Sequence, residues 1–185
     1  MKKDRRKRTQ DSKPVSEFPR FLTRELAEKA VGLTLDTVMM GQIGQMLKRK
    51  TCHVVIVAPA RVTCVLKGGT KHSQIIYTTL FEATFGDASK WRLDYAAVAR
   101  NKAAKMARGF NANSSESQPH LLFVGDTPYP GCVEREGIIV ACSGVQAYFD
   151  KLIAGMVADM LIAFARHAWL GSKDSQYEIP FLTFD

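Results

Sequence analysis

What the sequence most plainly lacks is a cluster of metal-binding side chains. Its four cysteines, Cys52, Cys64, Cys132 and Cys142, stand far apart, with no C-x-x-C pair and no histidine at zinc-ligand spacing. That excludes a structural zinc finger, and Cys52, Cys64 and Cys142 read as small buried hydrophobes in or beside apolar runs. A long apolar run is missing too. The longest, Leu152 to Leu170, is interrupted by Asp159, Arg166 and His167, too polar for the roughly 20 apolar residues of a membrane span. No apolar segment follows the basic N-terminus, so no secretory signal is expected. The cytoplasm is the expected compartment, and the basic cluster also fits a nuclear address. There is no G-x-S-x-G, zinc-finger spacing or aromatic-rich nucleic-acid motif.

What is present is a basic chain of 185 residues with net charge +8 and 46% hydrophobic residues, enough for one core. The charge is unevenly spread. Lys2, Lys3, Arg5, Arg6, Lys7 and Arg8 are offset in the first eight residues only by Asp4. Residues 1–17 have too few apolar groups to offset the entropy of ordering, so a disordered basic tail is expected over 1–17 and one domain over 18–185. Such a tail can meet nucleic acid or an anionic surface through counterion release.

Beyond it, Thr23 can cap a helix whose apolar positions from Ala27 to Leu47 recur at three and four residues, ending in Lys48, Arg49 and Lys50, with a kink expected near Gly41 and Gly44. Strands are expected at Cys52–Ala58, Val62–Leu66 and Gln74–Thr84, the first two joined by a turn at Ala58-Pro59-Ala60-Arg61, because proline cannot continue a central strand. Asp94 opens a helix through Arg108, followed by strands at His120–Val124 and Gly137–Cys142. Ser143, three residues before Gln146, has the spacing of a capping box for a last long helix. A possible edge strand spans Tyr177–Phe184. The fold class read from this order is α/β, a mostly antiparallel five-stranded sheet with flanking helices.

Arg100-Asn101-Lys102-Ala103-Ala104, Pro130-Gly131, the run Glu136 to Val145 ending its strand in Ser143-Gly144, and Phe149-Asp150 together resemble the GlcG/HbpS-like family, which includes the C-terminal domain of PduO. The resemblance spans roughly 94–165. It implies a profilin-like or PAS-like sandwich, dimers or larger homo-oligomers, haem binding in some members, and room for protein-interaction roles in others.

Haem needs an axial donor, and histidine is the usual one. His72 and His120, at strand margins, are the candidates taken forward; His53 begins a strand expected to be buried, and His167 suits a helix C-terminus. Ser143 and Gly144, where a strand turns into a helix, are candidate cofactor contacts because the free N–H groups of the helix end attract phosphate or carboxylate. The same turn admits a hydrolase using Cys142 or Ser143, although no base can be assigned to either. Arg100, Lys102, Lys105 and Arg108 read as a solvated basic helix face. The expected function is a non-catalytic ligand-binding domain, with haem as the concrete ligand, or a protein-interaction domain. The alternatives are an adaptor without a small ligand, the Cys142 or Ser143 hydrolase, and a nucleic-acid-associated protein acting through its tail.

Overall fold

The computed structural model of the chain describes residues 15–65, 70–109, 120, 122–173 and 175. Helix α1 runs over Arg24–Met40, where the Thr23 hydroxyl accepts from the Leu26 N–H at 3.3 Å, as its N-cap position dictates. It stops earlier than the periodicity suggests. Gly41 adopts an extended conformation and donates its N–H to Thr37, and one 3-10 turn at Gln42–Gln45 follows. Strand β2 is Cys52–Val65 and β3 is Lys71–Phe85, paired antiparallel from Cys52 opposite Phe85 to Val65 opposite Lys71. Ile56 faces Phe81 but Val57 faces Thr79, which makes Leu80 the extra residue of a bulge.

The expected turn at Ala58–Arg61 does not form: two anticipated strands are one. Pro59 is tolerated because of where the second edge of β2 is occupied. Strand β5 (Ile138–Ser143) pairs with His53 to Val57, and β1 (Val15–Glu17) pairs with Arg61 to Thr63. Pro59 falls in the interval between them, where a missing N–H breaks no bond on that edge. Because β1 is paired to the sheet, the ordered chain begins before Phe18, inside what reads as tail; the six basic residues Lys2 to Arg8 lie outside the described residues.

Helix α2 (Tyr95–Ala107) starts where expected, with the Asp94 carboxylate accepting from the Ala97 N–H at 2.9 Å. The expected strand at His120–Val124 is absent among the described residues: Phe123 to Asp126 form a turn, closed by the Phe123 N–H donating to the Asp126 carboxylate. The strand beside β5 is β4, Cys132–Arg135. Helix α3 spans Ala147–Leu170 with Gln146, not Ser143, at its N-cap, so the expected capping box is not made. Tyr177–Phe184 lies outside the described residues.

The result is an α/β fold: an open five-stranded sheet, every pair antiparallel, with three helices. Alternation along the strands sorts side chains to two faces. Val54, Ile56, Val140 and Cys142 pack with α1 and α3, whereas Val55, Val57, Ile139 and Ala141 pack with Ala99, Ala103 and Met106 of α2. Covered on both sides, residues 52–58 of β2 are buried without a break, which is why this stretch reads as a continuous apolar run. Each large aliphatic side chain buried there is worth about 1.5–3 kcal/mol over exposure. Among the described residues no helix is long and apolar enough to cross a membrane.

Candidate functional site

The end of β5 and the start of α3 meet the loop before α2 and the segment before β4 around a cavity of about 450 Å³. Its floor is an ion pair between two helices on opposite faces of the sheet. Lys102 of α2, 1% exposed, donates from Nζ to the Cys142 carbonyl at 2.7 Å and to Asp150 Oδ2 of α3 at 3.2 Å. The other Asp150 oxygen accepts from the Val145 N–H at 3.2 Å and from the Cys142 thiol at 3.7 Å. Burial raises the Asp150 carboxyl above the ordinary aspartate range, and Lys102 works against that shift. Such a connection past the sheet needs an opening. Gly131, at φ +112°, supplies it: a Cβ there would lie 2.6 Å from Asp150 Cβ and 2.9 Å from Lys102 Nζ.

Above the floor sits an uncapped helix end. The Gln146 side chain makes no cap bond to α3; it accepts from the Lys48 N–H and donates to the Met46 carbonyl. The first-turn N–H groups of α3 therefore have no side-chain acceptor, the condition that makes a helix N-terminus receptive to anions. Ser143 and Gly144 both line this cavity. Ser143 is only 4% exposed, whereas the buried side-chain polar atoms without a hydrogen-bond partner among the described residues are Thr34 Oγ1 and His53 Nε2. Gly144, at φ +138°, is held against β2, where a Cβ would be 2.6 Å from Cys52 Cα.

Two arginines reach the rim and differ in their commitments. Arg49 donates to the Gly144 carbonyl at 2.7 Å and the Val145 carbonyl at 3.0 Å, and its guanidinium lies 5.5 Å from the Tyr95 ring centre. Arg92 is exposed and has no such partner. Leu93, Tyr95, Val98, Tyr129 and Pro130 make an apolar wall.

The sequence brought Ser143 and Gly144 together but not the histidines. None of the four lines the cavity. His72 is opposite Cys64 in the ladder, whereas His53 is opposite Ser143, and the 11 residue steps along β2 from His53 to Cys64 span about 36 Å at ~3.3 Å per residue. His120 is exposed. The donors facing the cavity are arginine, lysine, serine and tyrosine, a set that does not fit a histidine-ligated haem. Among the described residues no group of three or more His, Cys, Asp or Glu is placed to hold a metal ion.

His53, itself buried, is instead part of a second, partly exposed polar cluster. Its Nδ1 is 2.8 Å from Thr84 Oγ1 and its Nε2 is 3.6 Å from Glu82, which accepts two hydrogen bonds from Arg100. The ring meets Trp91 edge-on, and desolvation lowers its pKa. Both ring nitrogens are thus turned to β3, so His53 does not act as a base for neighbouring Ser143. Cys142 is fully buried, and desolvation pushes its thiol well up from the ordinary range, which suppresses thiolate formation. The thiol of Cys132 is likewise pushed up to about 12 by burial.

Sequence reading missed Arg49, Arg92 and the role of the Lys102–Asp150 pair. The basic helix face is also corrected: Lys102 and Lys105 are buried, the latter donating to the Thr127 carbonyl at 3.3 Å, while Arg100 and Arg108 pair with Glu82 and Asp126. A lysine three residues from another on one helix face gives no signal of burial; the small residues Ala99 and Ala103 beside them were the available hint. Comparison of the chain with protein-family models, with curated proteins and with solved structures finds no match in any of the three, so the resemblance to the GlcG/HbpS-like family stands on its motifs alone.

Proposed function

We propose that the protein is a small-molecule-binding domain whose site is the cavity at the β5–α3 junction. The observation that carries this reading is the cavity itself, about 450 Å³, lined by Ser143 and Gly144 at the end of α3 that no side chain caps. A volume of this size falls within the range of ligand pockets, roughly 300–1,000 Å³. The fixed thiol of Cys142 and the orientation of His53 favour binding over catalysis. No histidine is among the residues lining this cavity. Ligand-observed NMR of a fragment library against the full chain tests the reading: hits are expected that disappear in Val98→Trp, which fills the cavity from α2. A library in which no hit depends on Val98 contradicts it.

A second reading, self-association, is favoured by one observation. The outer edge of β3 pairs with no other described strand, and Ile75, Ile76 and Tyr77 are 58, 40 and 41% exposed. From Lys71 to Thr79 the edge carries no proline and, apart from Lys71 itself, no full charge, so it lacks the usual protection against strand pairing. Antiparallel pairing of two copies about Ile75 places Ser73 opposite Tyr77 and Gln74 opposite Ile76. Sedimentation of the full chain is expected to show a dimer that Ile75→Lys converts to monomer; a monomer at every concentration contradicts it.

A further inference from the structure

We infer that the ligand of this cavity is an organic oxyanion, a carboxylate or a phosphate ester on an apolar body, recognised through Arg92, the Ser143 hydroxyl and the free N–H groups of α3. The inference rests on the small-molecule reading and adds the chemical class. Charge supports it first. Three cations, Arg49, Arg92 and Lys102, line the cavity against a single carboxylate, Asp150, leaving two positive charges in excess. Asp150 is already spoken for by Lys102 and by the Val145 N–H, so it does not neutralise the rim.

The commitments of the cations then divide their roles. Lys102 is spent on the floor, and Arg49 on the carbonyls of Gly144 and Val145. By holding those carbonyls, Arg49 fixes the turn that presents the α3 N-terminus. Of these three, Arg92 is the one whose guanidinium has no partner among the described residues, and its planar fork matches a carboxylate or phosphate bidentately. The helix end adds N–H donors and the positive pole of its dipole. Ser143, 4% exposed and on the cavity lining, adds a hydroxyl that can donate to an oxyanion. The same cavity is lined by Leu93, Val98, Tyr129 and Pro130, which offer an apolar surface and no further charge. A bare inorganic anion would leave that wall unused.

The test is calorimetric titration of the full chain with four probes: phenylacetate, phenyl phosphate, their neutral isostere phenethyl alcohol, and inorganic phosphate. At least one of the two aryl anions is expected to bind, tenfold or more tighter than phenethyl alcohol and than inorganic phosphate. Which aryl anion is the tighter separates a carboxylate from a phosphate source. Arg92→Ala is expected to weaken the anion tenfold or more and to flatten its salt dependence without changing the melting temperature, with partial recovery in Arg92→Lys. Ser143→Ala should weaken it less. Equal binding of phenethyl alcohol and the aryl anions, all lost in Val98→Trp, overturns the oxyanion inference and leaves the cavity reading standing. Binding of no probe, or binding that Val98→Trp leaves unchanged, overturns both.

Discussion

The two ends of the β2–β3 hairpin are built to different standards. At the end carrying Cys52 to Ala58, every residue of β2 is buried, helices cover both faces, and a buried ion pair ties α2 to α3 around the end of β5. At the other end, Lys71 to Tyr77 of β3 are all exposed and only β1 extends the sheet beside Arg61 to Thr63. Similar strand sequences therefore carry unequal loads: ladder hydrogen bonds, the exposed Arg61–Glu17 pair and the buried Ala60 and Val62 at one end, and helix packing on both faces, a buried ion pair and a cavity at the other. Burial in this sheet is concentrated where the site is.

The strongest way to break the contrast is to cut the floor of the cavity. Lys102→Met leaves Asp150 buried without its cation and is expected to cost about 3–5 kcal/mol in denaturant unfolding. Lys102→Met combined with Asp150→Leu should recover most of that loss, since the penalty is the orphaned charge. A single variant within ~1 kcal/mol of the parent would place the pair among groups that do little for the fold.

A smaller effect is expected from pH, and it too is confined to the site end. The folded pKa of His53 lies below its ordinary value of 6.5 because burial disfavours the cation. The unfolded chain then binds more protons as pH falls below 6.5, so stability must fall with it. The contribution is fully present above that value and is lost down to the lowered folded pKa. Asp150, whose pKa is raised, acts in the opposite sense, because the folded chain keeps its proton to higher pH than the unfolded chain does. The difference between parent and His53→Gln isolates the histidine: the variant should lose a dependence of at most about 1.4 kcal/mol per pH unit below pH 6.5. Identical slopes would mean that His53 is protonated in the fold.

The smallest effect belongs to the hairpin end. Ile76→Thr, at an exposed position, should change stability by no more than about 0.5 kcal/mol. Hydrogen exchange sharpens the same contrast: amides of residues 73–79 are expected to exchange through local opening, and those of residues 54–57 only through global unfolding.

Much of this fold was legible in the sequence. The three- and four-residue spacing placed all three helices, with Thr23 and Asp94 as caps, because those signals are local. Pro59 misled because whether proline breaks a strand depends on what occupies the far edge, which is a tertiary fact. β4 was hidden by its polar content, Glu134 and Arg135 before the Glu136-Gly137 turn, and by the more apolar His120–Val124 run, which forms no strand among the described residues. At the site, Ser143 and Gly144 were found from the strand-to-helix turn. Capping seemed a sufficient explanation for Ser143 until the helix proved to begin three residues later. Lys102, Arg92 and Asp150 come from separate elements, and only the sheet brings them together.

The most direct test of the account is an amide and arginine-side-chain NMR titration of the full chain with whichever aryl oxyanion binds. The account predicts shifts concentrated at Gly144 to Phe149 and at the Arg92 Nε, with residues 71–79 unmoved. Shifts on the hairpin in place of the β5–α3 junction would contradict it.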